Sequence, residues 1–306
     1  MARFEVFIPA SGPEGMALTL RVNAETWMAA LKLGLTKIGE AGALPQNVLC
    51  DIGDDESIHV TDPRSSRVFR IVELREKPPP PPEEARTDPE LAPLAPRVAQ
   101  PAPPPRKPEP PPPRTAQPPP KSEPPRPRPT AAREPDPATK KAEDVLVDLF
   151  ERTPAVFGKG RDEALYFLLD LAMEKIPADA GSVYVADLNR RDLRFAAARG
   201  PKADALLKLG MTVPMGRGFV GFCAQEGVGI AINDAQRDPR FYKEVADRLG
   251  YETKSIMTTP IVSHGRTLGA LQLINKKGSS AFTPGELAVL HYLAHQAAAY
   301  LESRGE

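Results

Sequence analysis

Ser255-Ile256-Met257-Thr258-Thr259-Pro260-Ile261-Val262 and Leu268-Gly269-Ala270-Leu271-Gln272-Leu273-Ile274 are the two strongest strand-type runs of the chain, and residues 284–301 carry a long helical pattern after them. Strands followed by a closing helix argue for an α+β domain. Upstream, Val145, Leu146, Leu149 and Phe150 mark one apolar helix face. Ala164, Leu165, Leu168, Leu169 and Ala172 mark another, which Pro177 ends. Both helices are too apolar to stand alone in water. Residues 182–186 and 193–198 read as a hairpin around Asp187-Leu188-Asn189-Arg190-Arg191-Asp192. A short helix near 203–209, a helix through 219–224 and a strand at 228–232 follow, and Asp238 then caps a short helix with Pro239 in its first turn.

The N-terminal stretch reads differently. Residues 4–8 and 18–22 form strand runs separated by a segment dense in turn formers, and Asn23 suits the N-cap of a helix on which Trp27, Leu31, Gly34 and Ile38 recur until Gly39 and Gly42. Residues 48–52, 57–61 and 68–74 are strand-like again. The order ββαβββ predicts a small α+β module with one sheet face covered by one helix. Trp27 is its core anchor, and His59, alternating with Ile58 and Val60, points to solvent.

Between these stretches lies a segment that cannot fold by itself. The 306 residues include 37 prolines, about two-thirds of them within 77–138, a window with no aromatic residue and almost no large aliphatics. Polyproline II is its expected conformation, and its local excess of Lys and Arg and its PxxP spacing keep a spacer soluble or suit a proline-recognition groove. The expected organisation is an α+β module at 1–76, a disordered proline-rich linker at 77–138 and a second domain at 139–306, two domains on a tether.

Composition excludes several classes. Forty Lys plus Arg balance forty Asp plus Glu, so the total charge points to neither nucleic acid nor membrane as a partner. Cys50 and Cys223 fall in different predicted domains and belong to no redox or metal spacing. Glu5 interrupts the place of a signal core, and no run of 18 apolar residues occurs, so the expected location is the cytoplasm. Abundant Ala, Arg and Pro resemble the product of a GC-rich bacterial genome. His291 and His295, four apart on the last helix, have the spacing of two metal ligands but no third ligand, and a surface or dimer-seam role is expected. No nucleophile, base and oxyanion donors converge in one region, so the expected protein is not an enzyme.

Gly218-Phe219-Val220-Gly221, Ile232-Asn233-Asp234-Ala235, Asp238-Pro239-Arg240-Phe241, the run from Gly250 to Ile261 and Gly269-Ala270-Leu271-Gln272-Leu273-Ile274-Asn275-Lys276 together resemble the GAF domain family over about residues 142–302. The resemblance is nearest to GAF domains of cyclic-nucleotide phosphodiesterases and adenylate cyclases. It implies a central antiparallel sheet with flanking helices, a small-molecule pocket, and a sensory or regulatory role relayed to a signalling partner. Homodimerisation would use residues 145–150 and 290–301. The mark of those members, Asn-Lys, then Phe, then Asp-Glu, becomes Asn275-Lys276, Phe282, Glu286 and Leu287 here, and implies a Lys276–Glu286 clamp. The same residues also read as helix initiation: Thr283 as N-cap, Pro284 at the first position, Glu286 completing a capping box, and Phe282 with Leu287 as a hydrophobic staple.

The implied ligand class is a cyclic nucleotide or another small anionic molecule. Ser182, Thr253 and Gln272 match polar pocket positions, and phosphate would be held near Ala235 and Gln236 in the loop Asn233-Asp234-Ala235-Gln236, where free N–H groups cradle an anion. Where those members carry an aromatic and an acid, this chain has Ala198-Arg199. Arg199 either faces an anionic ligand or points to solvent. The alternative to a sensor is an adaptor whose GAF fold holds no ligand and mediates protein contacts.

Overall fold

Phe4, Val6 and Ile8 are buried while Arg3 and Phe7 alternate outward, and this period of two makes strand β1 (Ala2–Ile8). In the computed structural model, which describes residues 1–12, 15–41, 45–74, 137–238, 241–279 and 281–305, β1 pairs with β2 (Leu18–Ala24) and on its other side with β5 (Val68–Glu73). Helix α1 (Trp27–Lys37) follows, then β3 (Asn47–Ile52), β4 (Ile58–Thr61) and β5 (Val68–Glu73). The ββαβββ order is as expected. The cap of α1 differs: Thr26, whose Oγ1 accepts the Ala29 N–H at 3.1 Å, starts the helix, and Asn23 lies inside β2 because the ladder with Arg3 claims it. The linker at 77–138 and the Pro239 position lie, apart from the backbone of 137 and 138, outside the described residues.

The second stretch runs α2 (Pro137–Arg152), a 3-10 turn (Thr153–Gly158), α3 (Arg161–Lys175), β6 (Ala178–Asp187), β7 (Asp192–Arg199), α4 (Ala203–Leu209), β8 (Thr212–Pro214), α5 (Gly218–Glu226), β9 (Gly229–Ile232), α6 (Lys243–Leu249), β10 (Ile256–Ser263), β11 (Arg266–Lys276) and α7 (Pro284–Ser303). β9, β10, β11, β6, β7 and β8 pair in that order, all antiparallel. Helices α3 (Leu165, Leu169) and α7 (Leu287, Leu290) cover one face, packed on Leu271 and Leu273 of β11. Helix α5 packs on the other.

The expected separation into two tethered domains is corrected here. Residues 1–75 and 136–306 form one compact unit. β3 pairs in parallel with β9, Asn47 opposite Gly229 through Cys50 opposite Ile232, so a single 11-stranded sheet runs through both stretches. The physical reason is apolar surface that each half leaves uncovered. Phe222, Cys223, Val228, Ile230 and Ile232 share a core with Trp27, Leu31, Val48 and Ile71. Trp27 stacks on Phe222 with ring centroids 5.5 Å apart, and Lys32 Nζ bonds Glu226 Oε2 at 2.8 Å at the rim. Gly229 permits the junction: a Cβ there would stand 2.2 Å from Asn47 Oδ1. A proline-rich segment signals a spacer in any sequence; it carries no information about whether the flanking surfaces are complementary.

Candidate functional site

Alternation along β6 and β11 sends Ser182 and Tyr184, with Gln272 opposite Ser182, to the face away from α3 and α7. Above that face, α4, α5, α6 and the segment leading into β10 enclose a partly open cavity of about 100 Å³. Tyr184 and Phe195 on the strands, ring centroids 4.4 Å apart, form one aromatic wall. Phe219 and Phe241, stacked at 6.2 Å, form another on the helical cover.

The polar floor is a relay. Tyr184 OH donates to Gln272 Oε1 at 3.0 Å, and Gln272 Nε2 donates to Thr258 Oγ1 at 3.0 Å. Burial pushes the Tyr184 phenol pKa up, so it stays protonated as the donor. Ser182 and Thr253, each only 4% exposed, line the cavity, and neither hydroxyl has a partner among the described residues. Asn275 holds Thr253 in place from behind. It sits at φ 58°, a left-handed conformation asparagine tolerates, where its Oδ1 accepts the Lys254 N–H at 2.7 Å and its Nδ2 donates to Glu252 O at 2.8 Å.

Of the residues expected to bind a ligand, Ser182, Thr253 and Gln272 are brought together. Arg199 is a correction. It borders the cavity, but it lies opposite Gly181, one step out of phase with Ser182, and its guanidinium is held on the α3 face. There Nε and Nη2 grip Asp170 at 2.7 and 2.9 Å and the guanidinium lies 4.2 Å from the Tyr166 ring centre. Asp170 holds the Arg199 pKa above its ordinary value.

Asn233, Asp234, Ala235 and Gln236 are corrected as well, because none lines the cavity. Asn233 stitches the fold, donating to Asp51 Oδ1 at 3.4 Å and accepting the Phe282 N–H at 3.2 Å. Asp234 and Gln236 are exposed, and Ala235 is buried in the shared core. The Ala235 N–H donates to Lys254 O at 2.8 Å, so it is not free to cradle an anion. Nor does Asp238 cap the next helix; α6 starts at Lys243 after Tyr242, with no side-chain cap.

Both readings of the Phe282 region hold together. Lys276 Nζ bonds Glu286 Oε1 at 2.5 Å, while Glu286 Oε2 accepts the Thr283 N–H at 2.9 Å and Thr283 Oγ1 accepts the Glu286 N–H at 3.2 Å. One carboxylate serves the clamp and the capping box. Phe282 and Leu287 are buried in the α3–α7 core. The sequence reading missed Phe195, Phe241, Tyr242 and Tyr251 in the lining. Phe195 falls in the expected strand 193–198 without a face assigned to it, and Phe241, Tyr242 and Tyr251 follow no strand or helix period that assigns them to a wall.

Elsewhere, His59 is half-buried rather than solvent-facing. Its Nε2 lies 3.0 Å from Ser57 Oγ, which donates to Asp55 Oδ1, so the serine stands between imidazole and carboxylate, an order unlike that of a nucleophile–imidazole–carboxylate triad. No cluster of three or more His, Cys, Asp or Glu residues able to hold a metal occurs among the described residues. Cys223 is buried and its thiol pKa is pushed well up by that burial. Among the described residues no helix is long and apolar enough to cross a membrane.

The sequence model of the GAF domain matches residues 160–301, the stretch that builds this cavity and its helical backing. Residues 160–301 are a GAF domain. GAF domains are small-molecule-binding sensory and regulatory modules of signalling proteins, and the α+β fold here is theirs. The GAF portion is 41% identical over 80 residues to the dual 3',5'-cyclic-AMP and -GMP phosphodiesterase 11A of Takifugu rubripes, covering 26% of this chain and 9% of that protein. It is 26% identical over 122 residues to the probable 3',5'-cyclic phosphodiesterase pde-5 of Caenorhabditis elegans, covering 38% of this chain and 17% of that protein. The chain thus spans less than a fifth of the length of these relatives. Among solved structures, the GAF domain of a Coxiella burnetii phosphoenolpyruvate-protein phosphotransferase aligns at 24% identity with a TM-score of 0.48, covering 54% of this chain and 98% of that one.

Proposed function

We propose that the protein is a non-enzymatic sensor in which a small molecule in the GAF cavity biases how the N-terminal module sits on the GAF domain, a change then read by a signalling partner. One observation carries this reading. Helix α5 is both the cavity wall, through Gly218, Phe219 and Val220, and the seat of the module, through Phe222 and Cys223 one turn later. A ligand that displaces α5 cannot avoid the Trp27 contact. Coupling requires only that the ligand bind the two seatings with different affinity.

The test is a thermal-shift screen of the full chain against small metabolites and cyclic nucleotides. A hit at a concentration 100 times its Kd is expected to stabilise the fold by about 2.7 kcal/mol. Flat curves across a broad panel favour the second reading, a ligand-free adaptor, which the small size of the cavity supports.

A homodimer is the proposed assembly. Val147 and Phe150 on α2 are 57% and 61% exposed, an apolar strip beside Tyr292 of α7, with which Phe150 makes an edge contact at 5.0 Å. A second copy of the same strip would cover it. Light scattering at micromolar concentration is expected to give twice the chain mass, and Phe150→Asp to return a monomer; a monomeric parent removes this assembly.

A further inference from the structure

Resting on the sensor reading, we infer that the GAF cavity takes an uncharged, flat, single-ring ligand with one polar edge, held by the Ser182 and Thr253 hydroxyls, rather than an anionic nucleotide. Charge decides first. Arg199 is turned to the opposite face and fastened to Asp170, and Lys202, the other cation among the described lining residues, is exposed. Ala235 has spent its N–H on Lys254. An anion carried inside would therefore lose its hydration with no buried countercharge among the described residues in exchange, a cost that far exceeds that of burying a neutral polar group.

Size gives the same answer. An apolar protein cavity of about 150 Å³ admits benzene. At about 100 Å³ this cavity is smaller than that, so a single ring enters only by using the open side for its substituent, and a purine with ribose and phosphate does not fit without displacement of the cover.

Hydrogen-bonding capacity then defines the edge. The two unpartnered hydroxyls each donate and accept, while Gln272 has given one amide N–H to Thr258 and filled one acceptor position with Tyr184, leaving one N–H and one lone pair. Groups that both donate and accept match an amide or lactam edge, which also does both. The walls Tyr184/Phe195 and Phe219/Phe241 supply faces for the ring.

Benzamide and benzoate test this on the full chain, since they share a shape and differ in charge. Isothermal titration is expected to show benzamide binding at least tenfold tighter than benzoate and than cyclic AMP or cyclic GMP. Ser182→Ala and Thr253→Ala are each expected to weaken benzamide about tenfold with the melting temperature of the free protein little changed. If benzoate or a cyclic nucleotide binds as tightly as benzamide or tighter, the ligand class is overturned while the sensor reading stands. Unchanged benzamide affinity in both alanine variants overturns the assignment of the polar edge. Silence from benzamide and every other probe overturns this ligand class, while the sensor reading falls only if the broad thermal-shift panel is flat as well.

Discussion

Trp27→Ala is expected to cost about 3–5 kcal/mol of unfolding free energy, the range for truncating a large buried aromatic side chain. The ring is 4% exposed and stacked on Phe222, so its removal leaves a void between the N-terminal module and α5 that neither side alone can close. Guanidinium unfolding followed by far-ultraviolet circular dichroism checks it. Because the two stretches share one core, the parent protein is expected to unfold in a single transition, and the variant at lower denaturant or in two steps. A loss below about 1 kcal/mol with one unshifted transition would show that the seam between them is not a core.

Gly269→Ala is expected to damage the sheet from its centre. A Cβ at this position would stand 2.0 Å from the Tyr184 carbonyl oxygen, a backbone atom that no rotamer change can remove. Since β11 lies between β10 and β6, the strands must separate locally, and β6 carries Ser182 and Tyr184. Overpacking of this kind costs typically up to about 3 kcal/mol. Gly285→Ala is the control. It sits in the first turn of α7 with no atom within 4 Å of the added Cβ, and the better helix former there is expected to be neutral or to stabilise by up to about 1 kcal/mol. Equal melting temperatures for the two variants would contradict the close approach of β6 and β11.

Periodicity made most elements legible. The strand-type runs at 255–262 and 268–274, the apolar stripe of α3 and the Thr283 capping signal are local, and local signals survive into the fold. The cap at Thr26 was harder, because Asn23 has the better composition and only the ladder to Arg3 removes it from the helix. Within the site, residues whose direction follows strand parity were accessible in principle. Ser182 and Gln272 were placed on the cavity, and Arg199 was not resolved, since its parity depends on the bulge between Val183 and Tyr184 that shifts the β6–β7 register. The loop at 233–236 could not be read, because whether an N–H is free depends on what lies across from it, here Lys254 O. The union of the two halves was equally hidden: β3 and β9 are far apart in the chain, and each looks like an ordinary short strand until the other is beside it.

That union has a consequence for how the chain is made. On the ribosome the ladder β2-β1-β5-β4-β3 emerges with one side unpaired, and its completing strand is still untranslated while the proline-rich stretch is being added. Until β9 arrives, the nascent polypeptide exposes at β3 a ready template for a neighbouring chain. Slow translation or crowded polysomes should therefore favour exchange of the N-terminal module between sister molecules, in which the β3 of one copy is completed by the β9 of another.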